Sequence, residues 1–175
     1  MKPPKGRTWA LRGARPVVKV HGRGNGRVNV AGVVCYRPGS RPHFFYRLHV
    51  YRGRKGESKS FAWSNWDLMI AAHQQLDAPL VWCWDNLNVH LCPQMKQFIG
   101  EHDDWLRVFQ MPSYAPELNL AEGVWSLLKR SIANFVATDL NGLVRITKRK
   151  LKKIQFRPHL IDGCLTEPGL MIEPP

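Results

Sequence analysis

Two acidic residues stand where this sequence could place chemistry. Asp85 ends the short apolar run Pro79-Leu-Val-Trp-Cys-Trp84 and leads into Asn86-Leu-Asn-Val-His90. The carboxyl ends of strands are where α/β sheets collect ligands and metal ions, which makes Asp85 a candidate ligand. An Asp-Asn pair also initiates turns at many strand ends, and that reading stays open. Glu122 follows after 36 intervening positions, 86–121. It stands three residues beyond Asn119, where a helix cap and its reciprocal partner are spaced in a capping box. If Val124, Leu127, Leu128, Ile132 and Phe135 form the core stripe of that helix, a turn of about 100° per residue carries Glu122, Ser126 and Lys129 to the opposite side. Glu122 then projects toward a strand end or into solvent.

Both acids sit in a strongly basic chain. The net charge is +13, and positions 1–60 hold 15 Lys and Arg against Glu57 alone, leaving 11 cations to face 12 acids downstream. A field of that sign concentrates polyanions, and nucleic acid is the commonest one in a cytoplasm; a basic surface with no particular partner is the alternative. The seven tryptophans and regular apolar runs in 175 residues are enough for one folded domain and argue against wholesale disorder. No run approaches the roughly 20 apolar residues of a membrane span, and Met1-Lys-Pro-Pro-Lys-Gly-Arg7 lacks a signal-peptide core, so the expected location is cytoplasmic. Cys35, Cys83, Cys92 and Cys164 are too scattered for a zinc site or a disulfide framework and read as reduced thiols.

The elements that must position these acids can be read in order. Residues 1–16 read as a basic, extended arm. Val17–Val20 and Arg27–Tyr36, separated by the turn signal Gly22-Arg-Gly-Asn-Gly26, predict a hairpin, and the aromatic run His43–Tyr51 predicts a third strand of the same sheet. Ser64-Asn-Trp-Asp67 resembles a capping motif for a helix over 64–76. Pro79–Trp84 has the continuous apolar character of a strand covered on both faces. Pro93 opens a helix to about Glu101, Leu106–Phe109 is a short strand, Asn119 caps a helix with the stripe named above, and Asp139–Ile154 pairs an apolar stripe (Leu140, Leu143, Val144, Thr147, Leu151) with a basic face. Strands followed by alternating strands and helices give an α/β layered fold. Residues 17–160 form the expected domain, and 161–175 a carboxyl-terminal tail.

Trp84-Asp-Asn-Leu-Asn-Val-His90, followed by Met111-Pro-Ser-Tyr-Ala-Pro-Glu-Leu-Asn-Leu-Ala-Glu-Gly-Val-Trp-Ser-Leu-Leu-Lys129, resembles the second and third catalytic blocks of mariner-like DDE transposases of the bacterial insertion-sequence branch, in order and at that superfamily's spacing. Arg7-Thr-Trp-Ala10 and Asp162-Gly-Cys-Leu165 extend the resemblance over nearly the whole chain. The resemblance implies a ribonuclease H-like fold, a mixed sheet flanked by helices, in which three carboxylates bind two Mg2+ or Mn2+ ions for DNA strand cleavage and strand transfer. Asp85 and Glu122 would be the second and third of those carboxylates. Asn86, His90, Lys129 and Arg130, with Arg23 and Arg27 of the basic strands, would orient them or contact DNA. Implied partners are double-stranded DNA, both transposon ends and target, and a second copy of the chain on that DNA.

The sequence departs from the family in one decisive place. The family's first catalytic aspartate precedes the segment matched here by Arg7–Ala10, and no acid occurs before Glu57. The expectation is therefore a truncated domain lacking its first, central strand and the amino-terminal helix-turn-helix, inactive alone. The missing part could instead come from an upstream reading frame. A third reading, of another class, is a non-catalytic basic DNA-binding protein derived from a transposase. Leu120, where the family usually has proline, is a smaller departure.

Overall fold

The computed structural model describes residues 12–13, 26–61, 66–85, 90, 92–113, 118–133, 135 and 139–166, with residues 165 and 166 described by backbone only. The expected strand Val17–Val20 and residues Ser64 and Asn65 lie outside that set.

β1 (Arg27–Cys35) and β2 (His43–Tyr51) form an antiparallel hairpin with Arg27 opposite Tyr51 and Cys35 opposite His43. Pro38 and Gly39 make the turn between them. The Ser40 amide donates to the Arg37 carbonyl at 3.0 Å, and Gly39 has φ +70°. Proline and then a positive-φ glycine at the two central positions are what a type II turn requires.

Side chains alternate across a strand, and in this hairpin both faces are apolar. Val30, Val34, Phe44, Tyr46 and Leu48 point to one side, where they meet α3 (Leu120–Ile132), α4 (Leu140–Gln155) and α5 (Pro158–Thr166). Ala31, Val33, Cys35 and Phe45 point to the other, against α1 (Asp67–Leu76), α2 (Pro93–Glu101) and the parallel pair β3 (Leu80–Trp84) and β4 (Leu106–Gln110). The hairpin is thus the common wall of two hydrophobic cores. The first is built on Phe44, Val124, Leu128, Leu151 and Ile161, all at most 1% exposed; the second is built on Met69, Ala72, Met95, Phe98 and Leu106. Burying each of these side chains other than Ala72 contributes about 1.5–3 kcal/mol. Two long-range hydrogen bonds fasten the first layer: Tyr36 Oη donates to the Ile161 carbonyl at 2.9 Å and Gln155 Nε2 to the Phe44 carbonyl at 2.8 Å.

This is the α/β arrangement of small sheets flanked by helices that the sequence predicts, with one antiparallel and one parallel pair. Three expectations change. β3 is not covered on both faces: Leu80 and Trp84 are buried, but Val81 is 71% exposed and Cys83 is also exposed. Its partner continues the open face with Phe109, opposite Cys83 and 59% exposed. A continuous apolar run cannot by itself say how many layers cover it, and among the described residues helices lie on one side only. Phe135 does not extend the α3 stripe, because the helix ends at Ile132 and the ring is 44% exposed. The tail expected from residue 161 begins inside α5, whose Ile161 and Cys164 are core residues.

α1 starts at Asp67 with Trp66 at its cap position, whose side chain makes no capping bond. It stops at Asp77, whose backbone is left-handed (φ 47°) while its amide donates to the His73 carbonyl.

Candidate functional site

Asp85 directly follows β3, and the pairing of β3 with β4 holds the strand end in place: the Met111 amide donates to the Trp84 carbonyl at 2.8 Å. Trp84 is buried in the second core and acts as a platform for His90, whose ring lies parallel to the indole at 4.4 Å with an interplanar angle of 5°. Stacked there, His90 Nδ1 lies 3.2 Å from Asp85 Oδ1 and 3.1 Å from the Asp85 carbonyl. Two oxygen acceptors at Nδ1 place the imidazole proton on that nitrogen, and the carboxylate is oriented by it. The Asp85 side chain is 45% exposed and that of His90 23%, so the pair opens to solvent while its base is buried.

Glu122 sits in the first turn of α3. Asn119 caps that helix, its Oδ1 accepting from the Ala121 amide at 3.2 Å. The carboxylate does not return a bond to Asn119 among the described residues, so only half of the expected capping box forms; Glu122 is exposed. The core stripe is the predicted one in Val124, Leu128 and Ile132. Gly123 allows close seating of α3 on α5. A Cβ at this position would lie 2.7 Å from Cys164 Cβ and 2.8 Å from its Sγ. Asp85 therefore stands at the end of an element from the second core, and Glu122 on a helix of the first.

Of the supporting residues, Arg27 opens β1 with its guanidinium 5.7 Å from the centre of the Tyr51 ring. Lys129 is half-buried and Arg130 exposed in the last turn of α3. Asn86 and Arg23 lie outside the described residues. Glu57, the only acid of the first 60 residues, is occupied in the loop after β2: its Oε2 accepts from the amides of Arg52 and Arg54 at 2.8 and 3.2 Å. Slight desolvation pushes its pKa up, but these two bonds and the two arginine charges outweigh it and hold the carboxyl below its ordinary value.

Carboxylates are the right donors for hard divalent ions such as Mg2+ or Mn2+. Among the described residues, however, no three His, Cys, Asp or Glu side chains come together as an ion would require. The donor chemistry fits, and among the described residues the donor number does not. Sequence reasoning missed the Trp84–His90 stack, because the five residues between them carry no periodic signal. It also missed a cavity of about 310 Å³ on α4, lined by Phe135, Ile146, Arg149, Lys150 and Lys153.

The sequence model of the family described as DDE superfamily endonuclease matches residues 1–141, which include both acids. No curated protein sequence matches the chain. Among solved structures, the chain is similar to one of the Mos1 transposase catalytic domain with raltegravir and Mg, at 11% identity and a TM-score of 0.44 over 83% of this chain and 85% of that one.

Proposed function

The chain belongs to the DDE superfamily endonucleases, and from that membership we propose that it is the catalytic-type domain of a DDE transposase, ribonuclease H-like in plan, of the bacterial insertion-sequence branch. In this reading residues 1–175 hold double-stranded DNA without cutting it by themselves. The observation that carries the proposal is the pair of acids within the matched region: Asp85 at the carboxyl end of a parallel strand, held by His90, and Glu122 in the first turn of the next long helix.

Asp85 and Glu122 are two of the three metal carboxylates, and the third is supplied from outside residues 1–175. Mg2+ or Mn2+, once bound by the full set, would supply activation of the attacking oxygen and neutralisation of charge at the scissile phosphate. The chain's own contribution is to bind and to orient. The arginines and lysines of the first 60 residues attract the duplex, His90 keeps the Asp85 carboxylate in one orientation, and Lys129 and Arg130 stand beyond Glu122 on the same helix to meet phosphate. The partners of this reading are transposon-end and target DNA and a second copy of the chain.

The test is Mn2+-dependent nicking of supercoiled plasmid at low salt, with Asp85→Ala and Glu122→Ala alongside the unaltered chain. The expected result is salt-sensitive plasmid binding by all three proteins and nicking by none. Nicking by the unaltered chain that both substitutions abolish would show that no outside carboxylate is needed and would overturn that part of the proposal. Folded protein with no affinity for DNA would overturn the rest.

A further inference from the structure

α4 carries six cations, Arg145, Lys148, Arg149, Lys150, Lys152 and Lys153, and no acid between Leu140 and Gln155. None of the six is ion-paired among the described residues. Lys152 and Lys153 sit in the last turn, where a cation complements the helix dipole and needs no ligand to explain it. Lys148, Arg149 and Lys150 gain nothing comparable. A merely solvated face would also be convex, and this one is not. Arg149, Lys150 and Lys153 surround the cavity of about 310 Å³, floored by Ile146 and walled by Phe135. Phe135 is 44% exposed, and Phe156, which follows the last turn of α4, is 70% exposed with Lys152 Nζ 6.0 Å from its ring centre. Exposed aromatic rings interleaved with unpaired cations are the physical requirements for single-stranded nucleic acid, whose phosphates take the charges and whose free base faces take the rings. A duplex offers the rings a base face only at the cost of unstacking a step, whereas a single strand offers it freely. The volume lies at the small end of ligand pockets, suited to one nucleotide.

We propose that this face of α4 is a binding site for single-stranded DNA, with one unstacked nucleotide seated in the cavity, its base on Phe135 and its phosphate among Arg149, Lys150 and Lys153. The site is separate from the two acids and does not depend on their chemistry, so a failed nicking assay leaves it standing. Fluorescence anisotropy of a short labelled oligothymidylate, competed with the same length of duplex, tests it. Phe135→Ala is expected to weaken single-strand binding roughly 5-fold or more, while Phe135→Trp restores it. Because the ring is half-buried, Phe135→Ala should lower the melting temperature by only a few degrees, and binding is measured well below that transition. Replacing Arg149, Lys150 and Lys153 together by glutamine should reduce the slope of log affinity against log salt by about 2. If Phe135→Ala binds as tightly as the unaltered chain, or the glutamine variant weakens duplex and single strand alike, the face is an unspecific phosphate contact and the proposal fails. Absence of single-strand binding would also end it.

Discussion

Gly123 is where the packing that seats Glu122 can be tested most directly. A methyl group there would stand 2.7 Å from Cys164 Cβ and 3.4 Å from its Cα, against an ordinary carbon–carbon separation of roughly 3.5–4.0 Å. Cys164 Sγ, 2.8 Å away, could rotate aside, but Cβ moves only with the backbone of α5. Gly123→Ala must therefore push α3 and α5 apart, an overpacking that costs about 1–3 kcal/mol. Alanine in a helix interior gains about 1 kcal/mol over glycine, so the net loss should be about 0–2 kcal/mol. In a Cys164→Gly background the obstructing Cβ is gone, and the same substitution should stabilise by about 1 kcal/mol. Urea unfolding of the four proteins closes the double-mutant cycle, with an expected coupling of about 1–3 kcal/mol. The reasoning is refuted if Gly123→Ala alone is stabilising by its full helical gain and the coupling is zero, since α3 would then not rest on Cys164.

Asp77 holds a left-handed conformation at the end of α1, which costs an L-residue roughly 1–2 kcal/mol and glycine almost nothing. Asp77→Gly should accordingly raise the melting temperature by about 2–4 °C per kcal/mol recovered; a fall would mean that the carboxylate has a role the backbone argument omits. Cys35 is pushed by burial from 9.0 to about 11, and burial, followed by the nearby Cys164 and Asp162, also raises Tyr36. An acid whose folded pKa is raised keeps its full contribution below the unfolded value and loses it as pH rises through the folded one. The folded chain holds the Cys35 proton that the unfolded chain releases, so stability should fall by about 2–3 kcal/mol between pH 9.0 and about 11. Cys35→Ala should flatten that part of the urea-derived profile, and an unchanged slope would contradict the assignment. At neutral pH, a thiol-alkylating reagent should modify exposed Cys83 well before Cys35 or the buried Cys164; equal rates, followed by peptide mass spectrometry, would argue against this burial pattern.

The sequence carried the local elements well where a short-range signal defines them. Pro93 opens α2, Asn119 and Asp139 cap α3 and α4 through their side chains, and the stripe Val124, Leu128, Ile132 is buried as its spacing requires. What failed was layer count. The β1–β2 hairpin is covered on both sides, whereas β3 looks continuous and is covered on one. Coverage depends on which distant elements arrive, which a single strand does not encode. The same limit applies to the site. Asp85 and Glu122 are singled out by the family resemblance, residue type alone leaving a turn and a capping box equally open, and the His90 bond to Asp85 depends on a ring stack that no local pattern encodes. The cavity on α4 depends on Phe135 turning outward after α3 ends.

The double-sided hairpin also constrains how the molecule can assemble. Even-numbered residues of β1 and β2 serve one core and odd-numbered residues the other, so a register slip of a single residue would exchange Phe44 with Phe45 and damage both cores at once. Neither half can misregister without the other objecting. The two cores should consequently melt in one transition, with the hairpin amides exchanging with solvent only when the whole domain opens.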